Sequence, residues 1–170
     1  MADVVNTADE QVWRDNAEEE IRQLVDDMLY TEKTHLSAAE RLQYVHRALG
    51  LSATISASAS AATIVGDLVA WVPGTLALIA AISSAVLTFV KPEQLSEQHL
   101  SAGRQLNALR VQARQLLSLD LPRLPFKDVR RAIADIATKK ATVDTAAPAT
   151  NGKNFKIASQ RIKSGVYVRD

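Results

Sequence analysis

The sequence predicts an all-α protein: a two-helix transmembrane hairpin continuing into long cytoplasmic helices, assembled as an oligomeric helical bundle. Three observations predict it. Residues 48–90 hold one charged residue, Asp67, in forty-three positions, while charges are common on both sides. On both flanks apolar residues recur at steps of three and four, the spacing of a helix with one buried stripe. Aromatic residues are 5% of the chain, too few for a dense aromatic core, and Ala and Leu dominate instead.

The N-terminal region comes first. Met1 to about Asp9 is expected to be disordered. Beyond it Val12, Ile21, Leu24, Val25, Met28, Leu29, Leu36, Ala39, Leu42 and Val45 form one stripe on a helix ending near Gly50. Helix propensity falls at Thr31–Thr34, so a break is expected there. Ser37 and Glu40 have capping-box spacing and could start a new helix. Such a stripe packs on a neighbouring helix; its acidic flank argues against a membrane-surface helix.

The first membrane helix is placed at about residues 48–66, nineteen residues without a charge. At 1.5 Å per residue this spans roughly 28 Å, about the hydrocarbon thickness of a bilayer. Ser52, Ser56, Ser60 and Thr63 share one face, beside a row of Ala53, Ala57 and Ala61. Small residues let helices approach closely and hydroxyls hydrogen-bond across them. That face therefore meets protein or water: the second helix of the hairpin, another copy of the chain, or the lining of a pore.

Asp67 lies in the hairpin turn, either simply hydrated at the bilayer surface or attracting ions. The second membrane helix is placed at about residues 70–90. Trp71 suits a headgroup-level anchor, and Pro73 is tolerated in a first helical turn. Leu76, Leu78, Ile79, Ile82, Val86, Leu87, Phe89 and Val90 make this the greasier helix and the better lipid contact. Lys33, Arg41 and Arg47 precede the hairpin, Lys91, Arg104 and Arg110 follow it, and its turn has no Lys or Arg. The positive-inside rule puts both termini in the cytoplasm.

Pro92 can open the exit helix. Leu95, Leu106, Leu109, Ala113, Leu116 and Leu117 lie on one broad face that could pair with the N-terminal helix. Leu121-Pro-Arg-Leu-Pro125 breaks the pattern. A short basic helix over 127–140, a linker over 142–153 and a partly alternating end from Phe155 are expected. The organisation is then an acidic arm or helix (1–30), a central membrane domain (31–119) and a basic tail with a short helix (120–170).

The net charge of +1 averages unlike parts. Residues 1–47 carry eleven acids and five Lys/Arg, whereas residues 121–170 carry eleven Lys/Arg and four acids. The two regions could pair with each other, or the basic one could meet anionic lipid or nucleic acid. Its charges are spread out, not clustered, which favours pairing or solvation, and nucleic acid is not an expected partner. The sequence Met-Ala-Asp-Val-Val at the start is acidic where a secretory signal is basic, so none is expected.

Little in the chain suggests chemistry. The absence of cysteine excludes disulfides, thiolate metal sites and cysteine nucleophiles. Neither glycine-rich phosphate motif occurs, nor a zinc-protease helix motif, nor a spaced metal set, so no catalytic, cofactor or metal residue is assigned. The chain is expected not to be an enzyme. Its imidazoles are His35, His46 and His99. His46 and His99 flank opposite ends of the hairpin and could approach each other, as polar packing, as headgroup contacts or as a pH-sensitive pair.

A family resemblance rests on further residues. These are His35-Leu-Ser-Ala-Ala-Glu-Arg41 and Tyr44-Val-His46, with Leu49-Gly50 entering the first membrane helix. After the hairpin come Lys91-Pro-Glu93, His99, Ala102-Gly103 and Leu106 to Leu109. Over residues 31–119 the chain resembles the SLATT family, two-transmembrane domains found beside nucleotide-signalling components in bacterial conflict systems. The resemblance implies a bacterial inner-membrane effector that oligomerises and forms a pore or disrupts the membrane. It implies a nucleotide-producing or nucleotide-sensing partner encoded nearby and an outcome of cell suicide against phage. The residues alone also leave room for a non-enzymatic helical scaffold whose apolar hairpin is buried in a homo-oligomer.

Overall fold

A computed structural model describes the backbone of residues 2–66, 69 and 71–166, with side chains from Asp9 onward. The described residues are helical throughout apart from short connections, and none is in a strand. The elements are α1 (Ala2–Val65), α2 (Trp71–Val90), α3 (Pro92–Gln115), a π-helical turn (Leu116–Asp120), α4 (Phe126–Ala146) and α5 (Gly152–Lys163). They form two compact units. Unit 1 holds Met1–Ser37 and His99–Asp170; unit 2 holds Ala38–Gln98.

The helix α1 has no break at Thr31–Thr34. Thr34 Oγ1 donates to the Tyr30 carbonyl at 2.7 Å within the helix, and Thr34 is buried. Threonine costs a helix only a few tenths of a kcal/mol, less than burial of the surrounding face returns. Ser37 makes no capping box; its Oγ is buried without a partner. Helix also begins at Ala2, where disorder is expected from sequence. Downstream, Glu10–Arg14 and Glu18–Arg22 pairs at i,i+4 reinforce it.

Unit 1 is organised around an apolar core of Ala17, Ile21 and Met28 from α1, and Leu106, Leu109 and Ala113 from α3. Val129, Ile136 and Val143 complete it from α4, spaced by sevens so that one stripe faces inward. The π-helical turn inserts one residue at the end of α3. The Leu121 N–H reaches the Leu116 carbonyl at 2.8 Å, and Leu116 and Leu121 are both buried. Pro125 then starts α4 in an extended conformation.

The C-terminal region is therefore folded into unit 1, with more helix than a tail carrying one short helix. The stretch expected as a linker continues α4 to Ala146, where Thr142 and Thr145 donate to carbonyls four residues back. The segment expected to alternate begins inside the helix α5, capped by Asn151, whose side chain accepts from the Asn154 N–H, and with Ala158 fully buried; Gly165 and Val166 lie in a turn. Phe155 meets Tyr30 of α1 at a ring separation of 6.2 Å. Residues 167–170 lie outside the described residues. The acidic and basic regions do meet, through Lys140 and Asp27 at 2.7 Å.

Unit 2 contains the hairpin. Its helices end at Val65 and start again at Trp71, close to the limits expected from sequence. Lys91 breaks α2 from α3 with a left-handed backbone (φ 47°), and Pro92, which cannot continue α2, opens α3. Ser96, essentially buried, donates to the Ala39 carbonyl at 3.0 Å where α3 lies against α1.

Candidate functional site

The two helices of the hairpin meet along a serine seam, and large apolar side chains lie on their outer faces. Ser83 Oγ of α2 donates to Ser52 Oγ of α1 at 3.3 Å. Ser60 Oγ donates to the Pro73 carbonyl at 2.9 Å. Ser56, Ser60 and Ser83 are buried. Thr63, half-buried, bonds back to the Ser60 carbonyl of its own helix. The serine face thus lies along α2, an interhelical seam in which hydroxyls find partners that hydrocarbon would not offer. Asp67 lies outside the described residues. Trp71 is the first residue of α2 and is exposed.

The outer surface is largely apolar and uncovered. Leu51, Ile55, Ile64, Leu78, Ile82 and Phe89 are all exposed. Two helices are long and apolar enough to cross a membrane, with 18-residue windows of mean hydropathy 1.5 and 1.9, each only 11% buried. A core helix of a folded unit would be mostly covered. Transfer of each such side chain out of water contributes roughly 1.5–3 kcal/mol, so this surface needs a non-aqueous environment. Exposed hydroxyl residues on the hairpin are Thr54 and Ser58 on α1 and Thr75, Ser84 and Thr88 on α2.

A second polar feature lies in unit 1, where charges are unexpectedly buried. Glu32 is 2% exposed. Its Oε2 accepts from Arg110 Nε on α3 at 2.9 Å and its Oε1 from Lys33 at 2.6 Å. One helical turn along α1, His35 faces His99 of α3 with 2.8 Å between their Nδ1 atoms. The two histidines are 3% and 5% exposed. On α4, Lys140 bridges Asp27 and Asp144, both at 2.7 Å. Burial alone would lower the pKa of Lys140; its bonds to Asp144 and Asp27 outweigh that and raise it. Helix packing is tight here: a Cβ on Gly103 would stand 3.0 Å from Leu36 Cδ2.

The expected approach of His46 to His99 is not what forms. His99 pairs with His35, while His46 points Nε2 at Glu93 at 3.7 Å. The Glu32–Arg110 pair had a signal in the sequence: Glu32 lies four residues from both Met28 and Leu36, on the apolar stripe itself. Among the described residues no three His, Asp or Glu side chains are grouped to hold a metal.

These features have a family context. The family described as SMODS and SLOG-associating 2TM effector domain family 4 matches residues 17–165. The chain belongs to the SLATT family. The match is wider than residues 31–119: it begins at Ala17, a core residue of unit 1, and takes in α4 and α5. The SLATT match thus covers the hairpin and most of the helices of unit 1. No curated protein and no solved structure matches the chain.

Proposed function

We propose that this chain is a bacterial inner-membrane effector whose α1–α2 hairpin spans the bilayer, assembles with other copies and permeabilises the membrane when triggered. The observation that carries the reading is the hairpin's large exposed apolar surface, together with a serine seam in which Ser52, Ser60 and Ser83 make hydrogen bonds between its helices. Water would not tolerate that surface, and lipid rewards it. Membership of a family named for two-transmembrane effectors associated with SMODS and SLOG supports the same reading. In it both termini face the cytoplasm, the trigger comes from a nucleotide-producing or nucleotide-sensing protein encoded nearby, and the outcome is cell suicide that limits phage. The chain carries no reaction of its own.

Ser52, Ser56 and Ser60 hold the hairpin together in this account. The exposed Thr54, Ser58, Thr75, Ser84 and Thr88 are hydroxyl residues available to another copy or to a water path. The test is induced expression of the full chain with its neighbouring signalling genes, read with a potential-sensitive dye. Depolarisation on triggering is expected, and it should vanish with Ile82→Lys, which puts a charge on the lipid-facing surface. A triggered cell that keeps its potential while the protein sits in the membrane would overturn the reading.

A further inference from the structure

The His35–His99 contact has a proton requirement set by its geometry. Two Nδ1 atoms at 2.8 Å are at hydrogen-bond distance, so one must carry hydrogen and the other must offer its lone pair. The neutral pair satisfies this with one histidine in each tautomer. A first added proton can sit on the outer Nε2 of the donor ring, leaving the contact intact. A second must go onto the accepting Nδ1. Two N–H groups would then point at each other across 2.8 Å, and the rings have to part.

We propose that His35 and His99 form a proton-operated latch between α1 and α3, closed when the pair holds at most one extra proton and opened by the second. The inference concerns unit 1 alone and does not rest on permeabilisation. It would give the folded helical unit an input from acidification, separate from any partner protein.

The surroundings favour such a device. Burial lowers the pKa of both rings, and for His35 the neighbouring His99 lowers it further. Asp144 on α4 acts in the other direction on His35, but its carboxylate is held by Lys140. Glu32, three residues before His35 on α1, is committed to Arg110 on α3 and to Lys33. Where α5 meets α1, Phe155 packs near Tyr30 at a ring separation of 6.2 Å. Below the ordinary histidine value of 6.5 the unfolded chain binds more protons than the folded one. The stability contributed by the neutral pair is complete above that value and is lost as pH falls toward the lowered folded values.

A contact that is stable only when under-protonated has the makings of a two-state element.

The test is hydrogen exchange of the full chain in phosphatidylethanolamine–phosphatidylglycerol vesicles, corrected for the intrinsic pH dependence. Between about pH 7.5 and about pH 5.5, peptides covering residues 29–37 and 99–107 should lose protection by roughly tenfold or more. Hairpin peptides should not change. His99→Gln keeps a hydrogen-bonding group but cannot take the second proton, and should be flat over the same range. An unchanged wild type, or the same loss in His99→Gln, would overturn the proposal. Should His99→Gln fail to fold, imidazole titration of the wild type by nitrogen-15 NMR decides. Two separate titrations below 6.5 are expected, and both rings titrating together at that ordinary value would contradict the latch.

Discussion

Arg110 donates through Nε to Glu32 Oε2 at 2.9 Å, tying α3 to α1 at a position where the carboxylate has almost no contact with water. Removing one partner of a buried pair leaves a charge without compensation, whereas replacing both with apolar groups is often neutral. Arg110→Met leaves Glu32 with Lys33 and should cost up to the roughly 3–5 kcal/mol of a broken buried pair. The double variant Glu32→Met/Arg110→Met should recover most of that loss. Urea unfolding of the detergent-solubilised chain, followed by helical circular dichroism, measures both.

Gly103 is required by closeness, not by backbone conformation. Its Cβ would meet Leu36 Cδ2 at 3.0 Å and Cγ at 3.2 Å. Gly103→Val should therefore destabilise unit 1 by about 2 kcal/mol, within the usual range for overpacking. Because the obstructing atoms belong to a flexible side chain, Leu36→Ala in the same chain should restore part of the loss. Thermal unfolding of the single and double variants shows whether the two positions couple.

The seam of the hairpin distinguishes two serines two residues apart. Ser56 is buried along α2 and Ser58 is exposed. Ser56→Leu should prise the hairpin apart and make it sensitive to protease added to vesicles. Ser58→Leu should leave it resistant. If the exposed hydroxyls serve a water path, Ser58→Leu should also lower dye release while leaving membrane retention unchanged.

Lys140 sets an alkaline limit on unit 1. Its pKa is raised above the ordinary 10.5 by Asp144 and Asp27, despite burial that works against the charged form. A raised folded value means that the contribution is fully present below 10.5 and is lost as pH rises through the folded value. Wild-type stability should fall in that range more steeply than that of Lys140→Met, measured by chemical unfolding as a function of pH.

The hairpin was legible because its signal is compositional. A charge-free run of membrane length, ended by a turn, needs no tertiary information, and the helix limits follow from it. The pairing of α1 with α3 was legible from apolar spacing on Leu106, Leu109 and Ala113, all buried. The serine periodicity picked out the packed face; which neighbour it met depended on Ser83 and the Pro73 carbonyl, and periodicity says nothing about partners. Three-dimensional register also explains the histidines. His46 and His99 are close in the expected topology, but two helices must align to decide which imidazoles face, and His35 lies on the side of α1 that meets His99. The length of α4 and the helix α5 were hidden by threonines, Pro148 and Gly152, which read locally as linker. Burial of Val143 and Ala158 overrides that local preference.

The central claim is that the hairpin lies in lipid, and extraction of expressed cells tests it most directly. Membranes separated from cytosol and washed with alkaline carbonate should retain the chain in the pellet. Release of a defined soluble oligomer in detergent-free buffer would contradict the claim and make the apolar hairpin the buried core of an assembly.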